Sequence, residues 1–312
     1  MTGPHIAVLG ATQRGVRFVE RLTELAADAA LTVFSFREEA HEPPFLDELK
    51  ALTEARGGRF CEARQVGAAK WEGFWRDTPP DLLFMVSWRY LVPRAVYQRA
   101  RLGAFAFHDS LLPAYRGFAP TVWAIINGED HTGATLFEVA DGVDTGRVVA
   151  QRRVPIGPDD TIADILPRVT ESYLDILADQ LTALLAGNAP RTAQDERMAT
   201  YTCRRIPEDN RIDWSRPASE VYNLIRAVTA PYPGAFTTFA GRRLTVWAAH
   251  PLPEHPPYAG RIPGRVVEIR PGEGSVVLTG DGALLLTDVQ VESELRRSAS
   301  DVLTSLSHTL GR

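Results

Sequence analysis

The sequence predicts an α/β protein in two parts. A larger domain with a mainly parallel sheet covers residues 1–204, and a small β-barrel covers 205–312. Three observations carry this. Short apolar runs alternate with segments of helical periodicity through the first third of the chain. A polar, aperiodic stretch, Gly187–Thr200, follows a long amphipathic segment and suits a connector. Beyond it, short strand-like runs sit between Gly and Pro turns.

The elements follow in order. His5–Gly10 (HIAVLG) is an apolar run closed by glycine and predicts a buried first strand. Val16, Val19, Leu22 and Leu25 recur at helical spacing and predict a helix over Gly15–Ala27. Leu31–Phe36 is a second strand and Phe45–Arg56 a second helix. Asp81–Ser87 is another buried strand, followed by a helix near Pro93–Ala100 and a strand at Ala104–His108. Thr161, with Asp164 three residues on, caps a long helix that Pro167 bends and Gly187 ends. Pro217 opens a helix running through Val228. Strands are then expected at Phe236–Phe239, Leu244–Trp247, Gly264–Ile269, Ser275–Leu278 and Ala283–Val289.

Composition narrows the function classes. The chain has 312 residues, 45% hydrophobic and 23% charged, which excludes a disordered or fibrous protein. Its 39 acidic and 34 basic residues give a net charge of −5, a poor balance for gripping nucleic acid over a wide surface. Lys50 and Lys70 are isolated, and no like-charge run signals a membrane surface. Cys61 and Cys203 lack metal-type spacing, so no metal site is expected. No signal peptide and no membrane-length apolar run is read, and the expected location is the cytoplasm.

The glycines of VLGATQRG (Gly10, Gly15) are too few for a dinucleotide fingerprint and read as a strand-to-helix turn. The informative segments are Gly103–Gly117 (GAFAFHDSLLPAYRG) and Asp141–Gly146 (DGVDTG). His108 ends an apolar strand, where open α/β sheets place ligands. DGVDTG offers carboxylates in a tight turn. A carboxylate beside an imidazole orients the ring and stabilises its charged form, which suits proton transfer from an attacking nucleophile. Neither a G-x-S-x-G elbow nor a Cys–His pairing is present, so covalent catalysis is unsupported. His41, His131, His250 and His255 read as solvated loop residues. Trp71, Trp75 and Trp88 fit core positions better than a base-stacking platform.

At HDSLLPAYRG, followed by Asn127–Gly146, the sequence resembles the 10-formyltetrahydrofolate-dependent formyltransferases. Arg204–Phe236 is similar to the second domain of the members that formylate UDP-4-amino-4-deoxy-L-arabinose; the catalytic domain is also shared with those that formylate initiator tRNA. The resemblance implies a Rossmann-like catalytic domain and a C-terminal barrel of OB type. It implies 10-formyltetrahydrofolate as cosubstrate. It also implies attack of an acceptor amine on the formyl carbon, with an Asn-x-His pair and an Asp serving the developing oxyanion and the proton. His108 and Asp144 match the His and the Asp. Folate-binding positions carried over are Tyr90, Leu91 and Val92, then Ser110, Leu111, Leu112 and Pro113, then Phe118, and Ala140, Asp141, Gly142, Val143 and Asp144. Phe118 stands where the arabinose enzymes place a folate-contacting arginine.

Ala106 stands where the family carries its asparagine, and a methyl donates no hydrogen bond. Two accounts are open: a transferase inactivated at this position, or a protein with different chemistry or only folate binding. The acidic loop Arg37–Phe45 disfavours tRNA. The expected acceptor is a small amine, a nucleotide-linked aminosugar first, with another small amine of secondary metabolism as the alternative. The barrel and the Pro-rich Leu252–Gly264 offer surface for pairing two copies.

Overall fold

The computed structural model describes residues 3–39 and 42–312. His41 lies outside the described residues. The chain divides into two compact units. One holds residues up to Gly117 with Gly133–Val154 and Arg168–Tyr201; the other holds Phe118–Thr132, Pro155–Pro167 and Thr202–Arg312.

The chain opens β1 (His5–Gly10), α1 (Thr12–Leu25), β2 (Ala30–Ser35), α2 (Leu46–Ala55), β3 (Arg59–Glu62), α3 (Glu72–Asp77), β4 (Leu82–Val86), α4 (Arg94–Tyr97), β5 (Gly103–His108) and β6 (Arg116–Gly117). Then come α5 (Pro120–Ile126), β7 (His131–Glu138), β8 (Val148–Pro155), α6 (Ile162–Leu185) and β9 (Tyr201–Thr202). The remainder is α7 (Ala218–Val228), β10 (Ala235–Phe239), β11 (Arg242–Pro251), β12 (Val266–Arg270), β13 (Gly274–Leu278), β14 (Ala283–Val291), β15 (Arg297–Ser298) and α8 (Ala299–Val302).

The first unit is built on a seven-stranded sheet of order β3-β2-β1-β4-β5-β7-β8. The β3-β2-β1-β4-β5 path is parallel, and β7 joins β5 antiparallel. β1 and β4 are flanked on both sides, so their residues are apolar almost throughout rather than alternating: Ile6, Val8, Leu9, Leu83 and Phe84 are fully buried. Trp75 stacks on Phe34 and gives its indole N–H to Val66 O, a core role; Trp71 and Trp88 pack against the same cluster.

In the second unit the antiparallel sheet runs β10-β11-β14-β13-β12, with β15 on β14. β11 is longer than the expected Leu244–Trp247 run because a register irregularity around Ala248 lets its pairing with β14 continue to Pro251. His131 and His250, expected in solvated loops, lie on β7 and β11. Pairing overrode the polar flanks from which a loop was inferred.

Asp164 accepts from both the backbone N–H (2.8 Å) and the hydroxyl (2.7 Å) of Thr161, so the cap works through the acid rather than the hydroxyl oxygen. Gly187, at φ 70°, takes the left-handed conformation just beyond the end of α6. In α7 the buried Arg226 donates to Asp160 O at 2.7 Å, Gly157 O at 3.3 Å and Asn223 Oδ1 at 2.9 Å. Arg226→Leu removes three hydrogen bonds to part-buried acceptors and is expected to cost about 1–2 kcal/mol. A urea midpoint within error of wild type, at unchanged m-value, would refute this.

Among the described residues, no helix is long and apolar enough to cross a membrane, and no group of three or more His, Cys, Asp or Glu could hold a metal ion.

Candidate active site

β5 ends at the C-terminal edge of the parallel strands, and its last residue is His108, whose side chain is 9% exposed. His108 Nε2 lies 2.7 Å from Tyr115 O. A carbonyl oxygen only accepts, so the proton sits on Nε2. Nδ1 then faces Asp144 Oδ2 at 3.6 Å, beyond hydrogen-bond length but within close charge contact. The same Oδ2 accepts from Gly117 N–H at 2.8 Å. His108 and Asp144 are therefore brought together over one turn, residues 115–117.

That turn and the Asp144 loop are each held from behind. Arg116, fully buried, donates to both oxygens of Glu196 at 2.8 Å, to Tyr201 OH at 2.9 Å and to Gln194 Oε1 at 2.7 Å. Glu196 raises the Arg116 pKa further above its ordinary value, so the guanidinium is permanently charged. Gln194 Nε2 donates to Asp144 O at 2.8 Å and Gly146 O at 2.6 Å. Gly146 admits no side chain, since a Cβ there would lie 1.5 Å from Glu138 O. Tyr115 (φ 60°) and Asp144 (φ 53°) both hold left-handed backbone, uncommon for non-glycine residues and concentrated in functional loops.

Asp109, next to His108, accepts from Arg14 Nη1 at 2.7 and 3.0 Å and from the Tyr173 hydroxyl. Burial pushes its carboxyl up, but Arg14 and the Tyr173 hydrogen bond outweigh it and hold the pKa below the ordinary 3.8. A depressed folded-state pKa gives stability that is present above the unfolded value and is lost as pH falls through the folded one. Acid unfolding below about pH 4 is thus expected to lessen in slope on Asp109→Asn. Urea titrations from about pH 5 downward check this, and an unchanged slope refutes it.

The remaining positions fall on three loops. Tyr90, Leu91 and Val92 follow β4; Tyr90 packs its ring on Phe36, and Leu91 is 95% exposed. Ala140, Asp141, Gly142 and Val143 form the exposed turn between β7 and β8. Asp141 ties this turn to α4, the helix that follows the first loop, accepting from Arg94 at 2.9 Å and from the Tyr97 hydroxyl. Ser110, Leu111, Leu112 and Pro113 form the turn after β5. The Ser110 hydroxyl is spent on Ala114 O at 2.6 Å, and Leu112 N–H goes to Thr135 Oγ1 at 3.2 Å. Phe118 is half exposed and opens the second unit. Ala106 lies mid-strand in β5, between Met85 and Phe137.

Sequence reasoning missed Gln194, Glu196 and Tyr201, the partners of Arg116. The signal available was the arginine itself: a guanidinium inside an apolar motif needs acidic and polar partners from elsewhere.

Two family models match. One described as Formyl transferase covers residues 21–181, and one described as Formyl transferase, C-terminal domain, covers 205–307. Solved structures share the fold. HypX from Aquifex aeolicus in complex with tetrahydrofolic acid is 21% identical, over 97% of this chain and 47% of that one, with a TM-score of 0.65. The chain thus spans about half the length of HypX. The N-formyltransferase from Helicobacter canadensis, in complex with folinic acid and dTDP-3-aminofucose, is 16% identical over 92% and 98%, with a TM-score of 0.66. Methionyl-tRNA formyltransferase from Clostridium thermocellum is 18% identical over 79% and 93%, with a TM-score of 0.54.

Proposed function

Because the chain belongs to the formyl transferase family, we propose that it moves a formyl group from 10-formyltetrahydrofolate to the amine of a nucleotide-linked aminosugar. The carrying observation is the approach of His108 Nδ1 to Asp144 Oδ2, 3.6 Å apart at the C-terminal edge of the sheet.

The residues present suit a reduced pterin. The loops after β4 and β7 present exposed apolar side chains, Leu91 and Val143, and Asp141 of the second is bonded to α4, which follows the first. Tyr90–Val92 and Ala140–Asp144 would hold the pterin. 10-Formyltetrahydrofolate supplies the formyl carbon on N10, and transfer exchanges that C–N bond for one to the acceptor amine.

His108 holds its Nε2 proton against Tyr115 O, so Nδ1 is the ring atom that takes the proton released by the attacking amine and gives it to N10 as the bond from N10 to the formyl carbon breaks. Asp144, tethered by Gly117 N–H, places its charge beside the imidazolium so formed. Contacts of this kind commonly tighten when substrate binds, which accommodates the 3.6 Å separation.

A sugar acceptor is supported by the sugar N-formyltransferases among the structural neighbours. Charge argues against tRNA. Residues 205–312 carry twelve arginines and no lysine against twelve acidic residues, giving no excess for a phosphate backbone. The test offers the protein 10-formyltetrahydrofolate with dTDP-3-aminofucose, UDP-4-amino-4-deoxy-L-arabinose or methionyl-tRNA and follows tetrahydrofolate release. Release dependent on an aminosugar nucleotide is expected. Release only with the tRNA would overturn the acceptor class, and absence of folate binding would overturn the transfer itself.

A further inference from the structure

Resting on the reading of Asp144 as the working carboxylate, we propose that Gln194 is a positioning residue. With Arg116 behind it, Gln194 sets the approach of Asp144 to His108. The amide orientation is dictated by its neighbours: Arg116 only donates, so it takes Oε1, and the carbonyls of Asp144 and Gly146 only accept, so they take Nε2. Gln194 thereby pins both ends of the Asp144–Gly146 turn, at 2.8 and 2.6 Å. Asp144 sits there at φ 53°, a conformation an L-residue rarely holds without outside support.

Arg116 serves both functional side chains. The carbonyl that holds His108 belongs to Tyr115 and the N–H that holds Asp144 belongs to Gly117, on either side of Arg116. Its backbone N–H is fixed to Thr200 O at 2.9 Å, and its side chain to Glu196 and Gln194. One buried cation anchors the turn from which the imidazole hangs and, through Gln194, the turn that carries the carboxylate. A glutamine suits the position because it accepts at one end and donates twice at the other over a fixed length.

Amide hydrogen exchange at Gly117 tests this without reference to activity, because that N–H is bonded to Asp144 Oδ2. Two variants are compared with wild type. Gln194→Leu removes the donors; Gln194→Glu keeps the acceptor for Arg116 but turns an oxygen on the two carbonyls, so either variant decides if the other fails to fold. Gly117 protection is expected to fall about tenfold or more while Val8 and Leu9 of β1 keep theirs. Unchanged protection at Gly117, or an equal loss across β1, overturns the proposal. A turnover cycle supplies the second reading. Gln194→Leu is expected to lower kcat in the wild-type background and to cost nothing further beside Asp144→Asn; equal losses in both backgrounds overturn it. If wild type turns over no amine, the transfer reading fails, and the Gly117 exchange still decides the positioning role.

Discussion

Asp144→Asn is expected to slow formyl transfer about 10³-fold with little loss of stability. The amide oxygen replaces Oδ2 as acceptor for Gly117 N–H, so the loop keeps its tether. What disappears is the charge. At 3.6 Å the attraction between a carboxylate and an imidazolium is about 4–5 kcal/mol at an effective dielectric of 20. Asp144 is 21% exposed, and water trims that figure. A remainder near 4 kcal/mol corresponds to about 10³ in rate, inside the range of general acid–base assistance. His108→Ala removes the proton acceptor as well and should be at least as slow. The double variant should be no slower than His108→Ala, since the carboxylate acts only through the ring. Single-turnover rates with melting temperatures alongside measure this. Retention of more than about a tenth of the activity by Asp144→Asn would remove the pair from the mechanism.

Four of the five parallel strands, β1, β2, β4 and β5, were legible because they are largely buried and apolar. β1 spans His5–Gly10, the apolar run read from the sequence, and β5 differs from expectation by one residue, Gly103. β3, β7 and β8 were not read. β3 (RFCE) has one buried side chain in four, and β8 carries exposed Gln151, Arg152 and Arg153 on the outer edge, so neither shows an apolar run. In β7 the small residues Thr132, Gly133, Ala134 and Thr135 are buried by neighbours rather than by their own hydrophobicity.

The site divides along the same line. His108 was marked by its place at the end of an apolar strand; the glycine-bounded turn offered Asp141 and Asp144 alike, and only the resemblance pointed to Asp144. Gln194 was invisible: it lies in an aperiodic connector, and two of its partners are backbone carbonyls, which carry no side-chain signature. The left-handed backbone of Tyr115 was equally silent, because nothing about a tyrosine in sequence requests φ near 60°; Asp144 is of a type that tolerates it better than most, which is a permission and not a signal.

Ala106→Asn is expected to raise turnover about 10²–10³-fold. Positions 106 and 108 share a face of β5, roughly 6.6 Å apart along the strand, so a side-chain amide at 106 lies beside the imidazole. Charge develops on the substrate carbonyl oxygen during attack, and a donor placed for it lowers the barrier by about 2.7–4 kcal/mol. His108 cannot supply that donor through Nε2, which is committed to Tyr115 O. The gain has a counterpart in the fold. Ala106 is half-buried and packs with Trp88, Val92 and Val139 against the cluster containing Met85, so an unpartnered amide there should destabilise the free protein by about 1–2 kcal/mol. Rate and stability are therefore expected to move in opposite directions, with substrate binding restoring part of the loss because it gives the amide its partner. Faster turnover with a lower melting temperature, partly recovered by a formyl-folate analogue, is the expected combination. Unchanged turnover in a folded, folate-binding Ala106→Asn protein would mean that the oxygen is stabilised from another direction and that position 106 takes no part in the reaction.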